Sequence, residues 1–178
     1  VDLRARMLGA QHPLTLEAQS LKAILIDSPR AREQLKTPCF ELRELHPDHR
    51  DQIGECMYEL AWLAVADDDH PTRAAAIAAG LAAYPVDEQE RRDVLAALDQ
   101  VDTAPDRARA LLARRKPLAS DAPFWIVVVE LEATIVTALA NHALHDRAAM
   151  DHDLVRARSL LAKVAPAYSP AILHRRQR

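Results

Sequence analysis

Apolar residues recur at helical spacing along nearly the whole chain. Between positions 48 and 66, Ile53, Met57, Leu60, Ala61 and Ala64 fall four, three, one and three residues apart, one face of a 3.6-residue helix. Tyr58 and Trp62 form a second stripe on the same segment. Over 87–101, Val94, Leu95, Leu98 and Val101 line one side while Asp87, Glu88, Glu90, Arg91 and Arg92 crowd the front, which predicts an amphipathic, half-exposed hairpin arm. The run 124–140 is the most apolar. Its Ile126-Val-Val-Val129 core suits a strand by propensity, but no turn signal separates it from Glu130-Leu-Glu-Ala and Ala138-Leu-Ala140, so a helix is predicted. Interrupted by Glu130 and Glu132 and shorter than a bilayer span, it reads as a buried helix.

Proline dipeptides punctuate these segments. Proline is tolerated in the first turn of a helix and breaks its interior, so His12-Pro13, Ser28-Pro29, His46-Pro47, His70-Pro71, Tyr84-Pro85, Ala104-Pro105, Lys116-Pro117, Ala122-Pro123 and Ala165-Pro166 mark joints. They place helix starts near 14, 29, 48, 71, 87, 105, 123 and 146, eight helices or four hairpins. Pro38 falls inside the 29–45 segment, where it should kink or split the helix.

An internal repeat fits this reading. Arg107-Ala-Arg-Ala-Leu-Leu-Ala113 returns as Arg156-Ala-Arg-Ser-Leu-Leu-Ala162, with weaker copies at Arg30-Ala31-Arg32 and Arg73-Ala74. The copies start 43, 34 and 49 residues apart, inside the range of stacked helical hairpins. Equivalent places in such units predict that Leu111, Leu112, Leu160 and Leu161 are all mostly buried. Leu8-Gly9-Ala-Gln-His12-Pro13-Leu-Thr15-Leu16 resembles the opening of tetratricopeptide repeats of the kinesin-light-chain type, and His46-Pro47 follows His12-Pro13 by 34 residues. The resemblance touches about two thirds of the chain. It implies an all-α stack of about four antiparallel hairpins in a right-handed solenoid over 1–178, and a docking or sensory role in a larger bacterial signalling protein.

Composition narrows the classes. Ala and Leu supply roughly a third of the 178 residues and there are three glycines, which favours helix. A net charge of −3 gives no basic excess for nucleic acid, so no nucleic-acid partner is expected, and with the most apolar run interrupted and shorter than a bilayer span no membrane is expected either. Cys39 and Cys56, each flanked by helix formers, are predicted to be reduced, buried thiols in a cytoplasmic protein. The chain begins at Val1 without a charged-then-apolar leader, which predicts the C-terminal piece of a longer polypeptide.

Chemistry is sparse. The glycines are scattered, so no phosphate-cradling loop is encoded, and there is no Gly-x-Ser-x-Gly elbow. The run Asp67-Asp68-Asp69 lacks the glycine and closing glutamate of a calcium loop and is read as capping the next helix. His142, His145 and His152, with Asp146 and Asp151, lie close enough in sequence to suggest zinc, but their spacing fits a polar helix–helix turn better, and no metal or other cofactor is expected. Glu130 and Glu132, two apart on a helix, do not face each other as an acid–base pair; a buried glutamate paired with Arg107 or Arg156 is the simpler expectation. Phe124 could line a groove, and Tyr58, Trp62 and Trp125 are the candidate anchors of one. The basic end His174-Arg-Arg-Gln-Arg178 reads as a solvated terminus. The functional expectation is a non-catalytic module that docks a protein, a peptide or a second copy of itself. Two alternatives are a metal-dependent helical domain using the histidine cluster, and a sensor holding a small molecule between hairpins.

Overall fold

A computed structural model describes residues 2–25, 30–119 and 121–165. Among the described residues the protein is all-helical, with α1 (Asp2–Leu8), α2 (Pro13–Leu25), α3 (Ala31–Leu45), α4 (Arg50–Ala66), α5 (His70–Ala83), α6 (Gln89–Gln100), α7 (Pro105–Leu112), α8 (Phe124–Ala143) and α9 (Arg147–Val164). The junction at Ser28-Pro29, most of the Ala165-Pro166 junction and the basic segment 174–178 lie outside the described residues. Eight of the helices begin within about two residues of the expected starts, and all of these but α9 lie at or after a proline joint. The ninth, α1, has only seven residues and no proline to announce it.

The helices form two compact units, α1–α5 and α6–α9. Sequential neighbours pair within them: α2 packs on α3, α4 on α5, α6 on α7 and α8 on α9. The first unit buries Leu16, Leu35, Leu42, Met57, Leu60 and Ile77. In the second, Leu131 of α8 meets Ala157, Leu160 and Val164, three and seven residues apart along one face of α9.

The turns α4–α5 and α8–α9 have the same construction. Asp68 and His145 take left-handed φ angles of 56° and 59°. The next amide, of Asp69 or Asp146, then donates back to the carbonyl of Ala64 or Asn141, the wrapped hydrogen bond of a helix that ends in a left-handed residue. Each aspartate caps the following helix, accepting from Thr72 N and Ala149 N at 3.1 Å. The acidic run before His70-Pro71 is thus a cap, as its position predicts. Asp69 also lies 3.1 Å from Arg32. Its carboxyl is held below the usual range, first by hydrogen bonding from the Thr72 side chain and backbone and then by the charges of Arg32 and Lys36. A depressed folded-state pKa stabilises the fold above the unfolded value of about 3.9, and that contribution disappears as pH falls through the folded value. Asp69→Asn keeps a capping side chain and removes the charge. Urea melts should show the variant less stable than wild type at neutral pH and the difference shrinking at acid pH; a difference independent of pH contradicts the assignment.

Three expectations are corrected. First, Pro38 does not split α3, which runs on through it with Pro38 buried beside Cys39. Second, Cys39 and Cys56 form a disulfide, with Cα atoms 5.5 Å apart. Placing the cysteines on different helices does not separate them, because α3 and α4 pack together and turn both toward the same interior. The cytoplasmic expectation loses the support it drew from reduced thiols.

Third, the repeated heptads do not bury the same leucines. In α7 the buried pair is Ala108 and Leu112; in α9 it is Ala157 and Leu160, leaving Leu111 and Leu161 half-buried. The element lies in or just before the second helix of every pair, but it begins at the third residue of α7 and the tenth of α9, and spacings of four and three select different sides of the stripe. Leu112→Ala and Leu160→Ala should each cost about 2–5 kcal/mol in denaturant melts, and Leu161→Ala clearly less. Equal losses at Leu160 and Leu161 would restore the equivalence.

Helix α8 extends three residues beyond the apolar run, to 20 residues, long and apolar enough by length and composition to cross a membrane. In this fold it is the central helix of the second unit, packed by α6, α7 and α9, with Glu130 and Glu132 both buried.

Candidate functional site

The residues singled out by sequence do not converge. Tyr58 is 3% exposed and packs edge-on against Tyr84, with ring centroids 6.2 Å apart, so it belongs to the core and is not a surface anchor. Gly54 makes room for this pair, since a Cβ there would lie 2.9 Å from the Tyr84 ring. Trp62 is half-buried on α4, while Trp125, at the start of α8 in the other unit, is 50% exposed. Two of the three candidate anchors therefore remain at least partly accessible.

His145 is the left-handed residue between α8 and α9, and its amide donates to the His142 carbonyl at 3.0 Å. His142 and His152 are exposed, and His152 lies 3.5 Å from Asp153. Among the described residues no three His, Cys, Asp or Glu side chains come together as a metal-binding group. The repeat-start histidines are structural too: His12 Nδ1 accepts from Leu14 N at 3.3 Å, and His46 Nε2 lies 2.6 Å from the Gln11 carbonyl.

A groove in the first unit brings together residues that were not singled out. It has a volume of about 410 Å³ and is lined from α2, α3 and α4. Leu21 and Leu42 supply apolar surface, and Cys56 places the disulfide at the wall. Ser20 locks this corner, donating from Oγ to the Leu16 carbonyl at 2.9 Å with Cys56 Sγ 3.0 Å away. Around the groove stand Glu17, Asp51, Glu55 and Glu59, and among the described residues no Lys or Arg contributes to the lining. Helical geometry explains the arrangement: Asp51, Glu55 and Glu59 are four apart on α4, so they stack along one face, and Glu17 and Leu21 are likewise four apart on α2. Leu14, 48% exposed, shares the Glu17–Leu21 face at helical spacing. A four-residue acidic spacing is legible in sequence; that α2 lies opposite it is not.

No family model, no curated protein and no solved structure matches the chain. The likeness to tetratricopeptide repeats therefore rests on the residues that carry it.

Proposed function

We propose that the protein is a non-catalytic docking module whose first unit receives a basic, amphipathic segment of another polypeptide in the groove between α2 and α4. The observation that carries this reading is the lining itself: four carboxylates around exposed Leu21 and the buried Leu42. An amphipathic segment with two leucines or similar side chains on one face and lysine or arginine on the other matches both chemistries, the helix-in-groove mode of recognition. Complementary charge at the rim speeds encounter and selects the partner, while apolar anchors supply affinity. The hairpin order and the element repeated in or beside the second helix of each pair support a tetratricopeptide-like stack as the scaffold, and a sensory or docking region of a signalling protein is the setting that resemblance suggests.

Fluorescence anisotropy with a labelled Leu/Lys amphipathic peptide tests the proposal, with a Leu/Glu peptide of the same pattern as control. The wild-type chain should bind the first and not the second. Asp51→Lys combined with Glu55→Lys, both exposed, should weaken binding on the order of tenfold or more at low salt and leave helicity intact. Equal binding of both peptides, or an affinity unmoved by the double variant, overturns it.

A further inference from the structure

The second unit contains a cavity of its own, about 330 Å³, among α7, the segment that follows it, α8 and α9. That volume is at the lower end of the range for small-molecule sites. Its charged lining separates into two parts. On one side Arg109 is offset by carboxylates, 3.3 Å from Asp106 and 3.8 Å from Asp146. It also donates to Asn141 Oδ1 at 3.3 Å, and Asn141 Nδ2 donates to Asp153 at 2.8 Å. Positive and negative charge are both satisfied there.

The other side is different. Arg115 and Arg156 share a single carboxylate, Glu130, at 3.5 and 2.5 Å. Lys116 lines the same cavity and forms no ion pair among the described residues. Three cations thus face one anion. Arg115 is the constrained member: its side chain is 12% exposed, and it donates to the Glu90 carbonyl at 3.2 Å and to Glu130. Its Nε is buried with no acceptor among the described residues. A guanidinium offers five N–H donors in a plane, the geometry that suits a carboxylate or phosphate, and a buried donor without an acceptor is costly. Leu112, Pro117 and Ala133 complete the wall with apolar surface.

We propose that this cavity binds a small organic anion, its carboxylate or phosphate held by Arg115, Lys116 and Arg156 and a short apolar body resting on Leu112, Pro117 and Ala133. The site is independent of the docking groove, because every residue it uses belongs to the other unit. Binding here would join α7, α8 and α9 through one ligand. It deepens the role of the repeat as well, since Arg156 opens one of the two best-matched copies.

Isothermal titration of the full chain with phenylpropionate, phenyl phosphate and inorganic phosphate, at an ionic strength fixed with chloride, separates the possibilities. Saturable binding of phenylpropionate or phenyl phosphate is expected, accompanied by a shift of the Arg115 Nε–H resonance. The stronger of the two identifies the charged group. Lys116→Gln, at an exposed position, and Arg156→Gln, at a half-exposed one, should fold normally and bind on the order of tenfold more weakly, the loss of one charge-assisted contact. Binding of inorganic phosphate with equal strength would remove the apolar body from the proposal. Failure of all three probes to saturate, or affinities that neither variant changes, overturns the site altogether.

Discussion

Glu130→Gln is expected to destabilise the second unit by about 3–5 kcal/mol, the usual cost of removing one partner from a buried ion pair. Among the described residues Glu130 is the one carboxylate that pairs with both Arg115 and Arg156, and its side chain is 10% exposed. Arg156 is half exposed and can turn to water; Arg115, at 12%, cannot do so without dragging the segment after α7 with it. The glutamine keeps size and shape, so lost packing does not explain a large effect. Replacing Glu130 and Arg115 together by Leu and Met should recover much of the loss, since a well-packed apolar pair often matches a buried ionic one. Denaturant melts of the single and double variants decide the matter. A single variant within about 1 kcal/mol of wild type would mean that water reaches the pair and screens it.

Removal of the Cys39–Cys56 bridge has a comparable expected effect. The cysteines are 17 residues apart, and closing a loop of that size in the unfolded chain stabilises the native state by about 3 kcal/mol. Both sulfurs are held in the bridge, so alkylation without reductant should label neither, even in denaturant. Reduction, or Cys39→Ala with Cys56→Ala, should lower the unfolding midpoint of the first unit. Because Cys56 and Ser20 form one wall of the groove, the same change should weaken peptide docking there. Full labelling of both thiols in denatured, unreduced protein would contradict the bridge.

The helices were legible because proline is a local signal. His70-Pro71 and Ala104-Pro105 stand within the first turns of α5 and α7, and apolar spacing in 48–66 matches the buried face of α4. What lay beyond reach depends on which helix meets which. Nothing local announces that Cys39 and Cys56 point into one interior, and a four-residue acidic spacing on α4 becomes a groove only once α2 and α3 are beside it. Propensity also misjudged Pro38, where the surrounding burial of Leu35, Cys39 and Leu42 holds α3 together. Aromatic residues are the natural anchors of a docking face, yet Tyr58 closes the core against Tyr84. Of the two repeat arginines expected at Glu130, Arg156 is found there, but Arg115 lies outside any copy and carried no signal in sequence.

The docking claim is tested most directly by mapping where a basic amphipathic peptide lands. Backbone amide shifts of the ¹⁵N-labelled chain, followed while the Leu/Lys peptide is added, resolve the answer by residue. The account predicts saturable changes concentrated on the exposed faces of α2 and α4, at Glu17, Leu21, Asp51, Glu55 and Glu59, with the cavity lined by Arg115, Lys116 and Arg156 unaffected. Changes centred on the second unit, or none that saturate, would contradict it.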